Sequence, residues 1–360
     1  MEGPHPMKIF LAGLALAITF QAGMPQCATA APTEETIRIS LNPVIYNNLP
    51  ILMAADKGYF TQQHLNVVIT TINQSAATLI PLLARGDIDV AQVVTAPAFF
   101  NAFSEGFNLK VVASVDSEKA GWADVAWVLV RQDLWDAGAI RKPTDLRGKI
   151  FDALATGAPV DFIARTELAK AGLTPADLTY TQKLKTQADV FTALRNKAVD
   201  VVMDTEPSAS QLEVQGLAHK WLPQGEIAPF YQDGYIGVSA AFLRDHREAV
   251  VRFLAAFVRA QRDIAATNGK WTPETLATVV KWSGLPESVI ESIPGPAYTG
   301  ELGKIDTASI DRQQKLWVTL KLVDKPVAVP SIVDDGPLRD AYQILGIKPA
   351  GSAASPHAAP

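Results

Sequence analysis

The stretch Leu83-Ala84-Arg85-Gly86-Asp87-Ile88-Asp89-Val90 closes a helix and opens a strand. Upstream, Ala76, Leu79, Ile80 and Leu83 recur at i, i+3, i+4 and i+7, which gives a helix one apolar face. Gly86 follows as a residue that can take the left-handed backbone ending a helix. Asp89 to Val94 then reads as a short strand. The pattern returns at Leu194-Arg195-Asn196-Lys197-Ala198-Val199-Asp200-Val201, again a helix end feeding a strand. Such an echo is what two lobes of one architecture show. Lys197 stands where Gly86 stands, so the second helix must end without glycine.

Outward from these points, short β-rich runs alternate with amphipathic helices. Ile37 to Leu41, Val67 to Ile72, Leu109 to Val115 and Val125 to Val130 read as strands, as do Ile150 to Ala153, Leu178 to Thr181, Val199 to Met203 and Tyr235 to Ser239. Helices are expected from Pro159 to Ala171 and from Gln187 to Asn196. Asn48-Leu49-Pro50 opens another, with Pro50 tolerated in the first turn and Gly58 as its C-terminal cap. Pro81 leaves two choices: if Ser75 caps its helix, Pro81 is interior and kinks it; if Thr78 caps it, Pro81 falls in the first turn. Strands separated by helices imply an α/β protein with parallel crossover units in a doubly wound sheet. After Ser239 the chain turns helical, with Val250, Phe253, Leu254, Phe257 and Val258 on one core-facing stripe.

The chain has 360 residues, 48% of them hydrophobic and 19% charged, with a net charge of −5. The length suggests two domains, the apolar content excludes a disordered chain, and the acidic balance leaves no basic footprint for nucleic acid. Lys8, the apolar run Ile9 to Phe20 and the small-residue site Ala28-Thr29-Ala30 read as a secretory signal peptide over 1–30, with Met7 as the expected start. The run is shorter than the roughly 20 residues that a membrane span needs. Cys27, the single cysteine, lies inside that peptide, and Gln26 before it is not the small residue a lipid-modified cysteine requires. A mature chain without cysteine has no disulfide, no thiol catalysis and no thiolate metal site, which fits a protein exported to a bacterial periplasm. The Ala, Ser, Gly and Pro residues of 346–360 read as a disordered tail.

Enzyme signatures are absent. The five histidines, His5, His64, His219, His246 and His357, form no metal pair on a helix, and no H-E-x-x-H, G-x-S-x-G, Walker A or G-x-G-x-x-G sequence occurs. No catalytic residue, metal or cofactor is expected.

Ala54-Ala55-Asp56-Lys57-Gly58-Tyr59-Phe60, followed by Leu65-Asn66-Val67, resembles the opening signature of type II periplasmic solute-binding proteins of ABC importers, the group that takes nitrate, sulfonates, taurine and the thiamine pyrimidine. The Leu83 to Ala91 stretch, Asp145-Leu146-Arg147-Gly148-Lys149 and Glu206-Pro207 match in order, so the resemblance runs from about Ile37 to about Leu345. It implies two lobes joined by two crossover strands, lobe 1 from 34–121 and 234–345 and lobe 2 from 122–233, with a cleft that closes on a small organic solute and is read by an inner-membrane permease. A monomer is expected. A ligand-presenting sensor and a thiamine-pyrimidine synthase are the other roles such a chain can fill, and the synthases depend on clustered His and Cys that the mature chain lacks.

In open α/β sheets the site lies beyond the carboxyl ends of the strands, where helix N-termini present unpaired amides. The corresponding corners carry Asn42 and Tyr46, then Gln74, Ser75 and Ala76, then Thr95, then Thr156, Gly157 and Ala158, then Asp204 and Glu206. Each corner has a second reading. Ser75, Thr95 and Thr156 are helix caps as readily as ligand contacts, and Glu206 serves equally to cap a helix begun at Pro207. Tyr46, Trp122, Trp127 and Tyr235 are either cleft walls or ordinary packing. Helix N-termini behind Ser75, Thr95 and Gly157 suit a carboxylate or sulfonate, while Asp204 and Glu206 favour an amine or ring N–H at the other end of the ligand.

Processing is the first thing to check. The exported chain is expected to begin at Ala31, and intact-mass analysis showing Cys27 retained with a lipid adduct would overturn that.

Overall fold

The structure, a computed structural model, describes residues 1, 3, 34–41, 45–71, 76–115, 125–229, 231–232, 234–296 and 302–348. The expected signal peptide, apart from 1 and 3, and the tail from 349 onward lie outside the described residues. Gly346 and Ile347, expected in that tail, instead close the last helix. The Ile347 amide donates to the Tyr342 carbonyl at 2.9 Å, and its side chain packs against the core.

The described strands are β1 (Glu35–Leu41), β2 (Leu65–Thr71), β3 (Val90–Val94), β4 (Leu109–Ser114), β5 (Ala126–Arg131), β6 (Ile150–Asp152), β7 (Thr179–Thr181), β8 (Val201–Thr205), β9 (Ala218–Pro223) and β10 (Gly234–Ser239). They form two five-stranded sheets, ordered β2-β1-β3-β10-β4 and β7-β6-β8-β5-β9. The two orders are the same motif. Three parallel strands lie on one side, one antiparallel strand is inserted, and an edge strand completes the sheet. The echo in sequence is this equivalence, since helix Ala76–Arg85 feeds β3 as helix Gln187–Arg195 feeds β8. The two α/β blocks expected from the sequence are these two sheets, each mixed rather than wholly parallel. Sequence periodicity carries no direction, so the antiparallel β5 and β10 were invisible to it. β9 was not expected at all.

Helix ends follow local chemistry. Gly86 takes φ +76°, and Lys197, its counterpart, takes φ 58°. A non-glycine residue there costs on the order of 1 kcal/mol. The Lys197 ammonium reaches Asp133 at 2.8 Å, an ion pair that draws on the same side chain. Hydrogen bonding from Lys197, then from Arg131, holds the Asp133 carboxyl down at about 2. Gly58, at φ 65°, ends the helix Ile45–Asp56 as expected. That helix begins before Asn48, however, so Pro50 is interior rather than in the first turn. Pro81 is likewise interior to its helix, the first of the two choices.

Two packing systems hold the sheets. Under the first sheet, helix Arg247–Ala265 lays Val250, Phe253, Leu254, Phe257 and Val258 into the core, and Phe253 stacks on Phe60 with ring centroids 5.0 Å apart. A second cluster is continuous from one sheet to the other, since Val93 and Phe99 share it with Val128, Phe151 and Met203. Its centre is Trp317 on helix Thr307–Thr319. Trp317 is fully buried, meets Phe162 edge-on at 6.1 Å and donates its indole N–H to the Thr95 carbonyl at 3.0 Å. Trp317→Ala is expected to lower unfolding free energy by about 3 to 5 kcal/mol, the usual cost of emptying so large a site, measured by denaturant titration.

Candidate functional site

A cleft of about 560 Å³ opens where the two sheets face each other. Leu41 at the end of β1 and Thr71 at the end of β2 line it from the first sheet, with Asn48 and Leu52 of the following helix. The second sheet contributes Leu154 and Ala155 beyond β6, the loop Leu184 to Gln187 beyond β7, and Asp204 to Ser208 at the end of β8. All these are carboxyl ends of parallel strands, the place where an open α/β sheet offers its ligand site. The floor and far wall come from the C-terminal helices through Val279, Trp282, Leu285, Ile290 and Ile293.

The expected corners divide. Asn42, Gln74 and Ser75 lie outside the described residues, as does Trp122. Tyr46 and Ala76 sit in the opening turns of helices Ile45–Asp56 and Ala76–Arg85, and their side chains also fall outside the description. Asp204 and Glu206 line the cleft. Thr95, Thr156, Gly157, Ala158 and Tyr235 are not among its lining residues.

Each of those five is occupied elsewhere. Thr95 is neither cap nor contact: Ala96 is the N-cap, and the buried Thr95 hydroxyl donates to Gln313 Oε1 at 2.6 Å. Thr156 donates to Gln182 Oε1 at 2.6 Å, leaving Ala158 as the N-cap of helix Pro159–Lys170. Gly157, at φ +74°, lies so close to the first sheet's helix Pro97–Ser104 that a Cβ would sit 2.7 Å from Pro97 Cγ. Its amide, expected to face an anion, donates instead to Asp161 Oδ2 at 3.0 Å. Asp161 also accepts from Arg165 and from Tyr180, whose phenol is pushed up by burial and then by the Asp161 charge. Tyr235 is fully buried and donates to the Gln232 carbonyl at 2.9 Å, so it packs the interior rather than walling the cleft. Trp127 is half-buried against the second sheet's own core, with the Lys220 ammonium 4.6 Å from its ring centre.

Asp204 and Glu206 differ sharply in their surroundings. Glu206 accepts from the Ser210 amide and hydroxyl, each at 3.0 Å, and from Lys220 Nζ at 3.0 Å, with its side chain wholly inaccessible. It caps helix Ser208–Val214 and its charge is cancelled. Asp204 accepts from the Ser208 hydroxyl at 2.5 Å and the Thr205 amide at 2.8 Å, and no cation pairs with it among the described residues. Burial raises its carboxyl to about 6, against the opposing pull of those two hydrogen bonds and with help from the Glu206 charge. Lys185, exposed and lining the cleft, donates its ammonium to the carbonyls of Gln182 at 2.8 Å and Leu154 at 3.4 Å, while its backbone amide donates to Asp189 Oδ2 at 3.1 Å.

Sequence reading missed Lys185, Lys220 and the C-terminal apolar wall. Lys185 and Lys220 lie away from the predicted strand-end corners, and Trp282 and Ile293 belong to helices read only as packing. No group of three or more His, Cys, Asp or Glu side chains able to hold a metal exists among the described residues, and no helix there is long and apolar enough to cross a membrane.

Two α/β halves of one topology, facing each other across a cleft at their strand ends, define a two-lobed solute-binding fold. The chain belongs to the family described as NMT1/THI5 like, whose model matches residues 46–268. It is 26% identical over 306 residues, 82% of this chain and 85% of the other, to a Bacillus subtilis (strain 168) protein assigned as an aliphatic sulfonates-binding protein. The periplasmic aliphatic sulphonate binding protein SsuA from Escherichia coli superposes with TM-score 0.66 at 19% identity, covering 84% of this chain and 97% of that one. The periplasmic nitrate-binding protein NrtA from Synechocystis PCC 6803 does so with TM-score 0.67 at 15% identity, covering 86% and 89%. The fold is that of the periplasmic binding proteins.

Asp204 makes a pH prediction. Its folded value of about 6 lies above the ordinary 3.8, so its favourable contribution is full below about 3.8 and is lost as pH rises through about 6. At neutral pH the ionised carboxyl costs the fold about 3 kcal/mol. Asp204→Asn is expected to be more stable than the parent at pH 7.5 and to match it near pH 4, read from melting curves across that range.

Proposed function

We propose that this chain is the solute-binding subunit of a bacterial ABC importer, holding a small organic anion of the sulfonate or carboxylate type for delivery to an inner-membrane permease. The observation that carries this is the cleft itself: it is lined by strand ends of both sheets, so a bound solute touches both halves at once. Residues 34–121 with 234–345 form one lobe in this reading and 122–233 the other, joined by the two crossings that lead from β4 to β5 and from β9 to β10, with the protein acting as a periplasmic monomer.

The size of the cleft supports an organic solute over an inorganic ion. A volume of about 560 Å³ with an apolar wall at Trp282, Leu285, Ile290 and Ile293 suits a ligand with a hydrocarbon body. Lys185 supports an anionic head, because it is a cleft cation whose ammonium is bonded to neutral carbonyls. The Bacillus subtilis and Escherichia coli relatives make a sulfonate the first candidate. Binding without chemical change is supported by the Bacillus subtilis relative, which is assigned as a binding protein.

A panel of alkanesulfonates, alkanoates and nitrate, screened by thermal melting and small-angle scattering, tests this. A matching solute at 100 times its Kd should stabilise the protein by about 2.7 kcal/mol, reduce the radius of gyration and be recovered with unchanged mass. A solute that saturates the protein without compaction, or that returns chemically altered, would remove the reading.

A further inference from the structure

We infer that Asp204 is the specificity-determining residue of the cleft, selecting solutes that carry an ammonium or N–H donor group in addition to an anionic end. This rests on the reading of the cleft as a solute site and goes on to name the solute class.

The fold does not need the charge of Asp204. Its two protein partners are the Ser208 hydroxyl and the Thr205 amide, both neutral donors that a neutral acceptor would satisfy. The helix that follows takes its cap from Glu206, which already accepts from the Ser210 amide. Lys220, the nearby cation, is committed to Glu206 and the Ser210 hydroxyl at 3.0 Å each. Asp204 is therefore a buried carboxylate, 5% exposed, in the wall of a ligand cleft with no cation of its own among the described residues. Burying an uncompensated charge is unfavourable, and burial here raises the carboxyl well above its ordinary range. An ammonium from the solute supplies the missing partner and removes that penalty.

Glu206, two residues on, lines the same cleft but is already neutralised, so the pair does not act as a general acidic patch. Lys185 lines the cleft from a different loop, and its ammonium is bonded to two carbonyls. One unmatched anion and one unmatched cation in a single cleft complement a solute that bears both signs, with its hydrocarbon body against the C-terminal wall. A solute with only an anionic group leaves Asp204 unpaired and brings a second negative charge toward it.

Matched ligands read this directly. Calorimetric titration of the exported chain at pH 7.5 compares 3-aminopropane-1-sulfonate with propane-1-sulfonate, in the wild type and in Asp204→Asn and Asp204→Ser. Two variants are used so that the result does not hang on one of them folding. The wild type is expected to bind the amine-bearing ligand about tenfold or more tightly, and either folded variant to bring the two affinities within about twofold. Equal or tighter binding of propane-1-sulfonate by the wild type overturns the inference while leaving an importer subunit for simple sulfonates intact. A preference for the amine that survives in a cooperatively melting variant also overturns it. Failure of the wild type to bind either ligand overturns both the inference and the sulfonate reading beneath it.

Discussion

The chain crosses between the two sheets twice, and the rest of the molecule depends on where those crossings land. It leaves β4 and enters the second sheet as β5, one strand in from an edge, then leaves β9 and returns as β10, one strand in from an edge of the first. Both incoming strands run antiparallel to both neighbours. Every residue of β10 is buried, and close approach is what its glycines provide: a Cβ on Gly234 would sit 2.6 Å from Val115 Cγ2, and one on Gly237 would press on Val93 at 3.0 Å. The second sheet is made from one continuous stretch of chain, whereas the first receives β10 only after the second is complete. The two halves are thus bound together while still facing each other across open space.

That arrangement explains why the cleft lining mixes polar and apolar groups. Strand ends bring amides, hydroxyls and the acidic Asp204-Thr205-Glu206 run, because chain leaving a sheet has backbone groups to satisfy. The apolar wall comes from helices Pro273–Ser283 and Glu287–Glu291, whose other contacts belong to the first sheet's core. Helix Thr307–Thr319 ties the halves from behind through Trp317, with Gln313 accepting from Thr95 and donating to the Gln232 carbonyl at 2.6 Å. Satisfied polar contacts of this kind fix one geometry at the junction while leaving the cleft side open.

Much of the fold was legible because periodicity survives in a single sequence. The helix-to-strand handovers at Gly86 and Lys197, the strands flanking them and the stripe from Val250 to Val258 all appear as read. β9 escaped notice because Ala218-His219-Lys220-Trp221-Leu222-Pro223 mixes charge with apolar residues and ends in proline, as suits an edge strand with one partner. The starts of helices were read less well. Thr95 and Thr156 look like caps, but the backbone turned one or two residues later, and their hydroxyls found long-range acceptors instead.

What the sequence determined by itself was the alternation of elements, the echo between Leu83 to Val90 and Leu194 to Val201, and the nearness of Asp204 and Glu206 to a strand end, since all three are short-range consequences of pattern and spacing. Strand direction, the burial of Tyr235, the contact of Gly157 with Pro97 and the split between two acidic neighbours were decided only in three dimensions. The last of these is the clearest case. Asp204 and Glu206 are carboxylates two residues apart at the end of β8, and what separates them is Lys220, fourteen residues beyond Glu206 and folded back by β9 to within 3.0 Å of that carboxylate. Charge in a protein interior is set by which partner the fold brings within hydrogen-bonding distance, and local sequence does not carry that information.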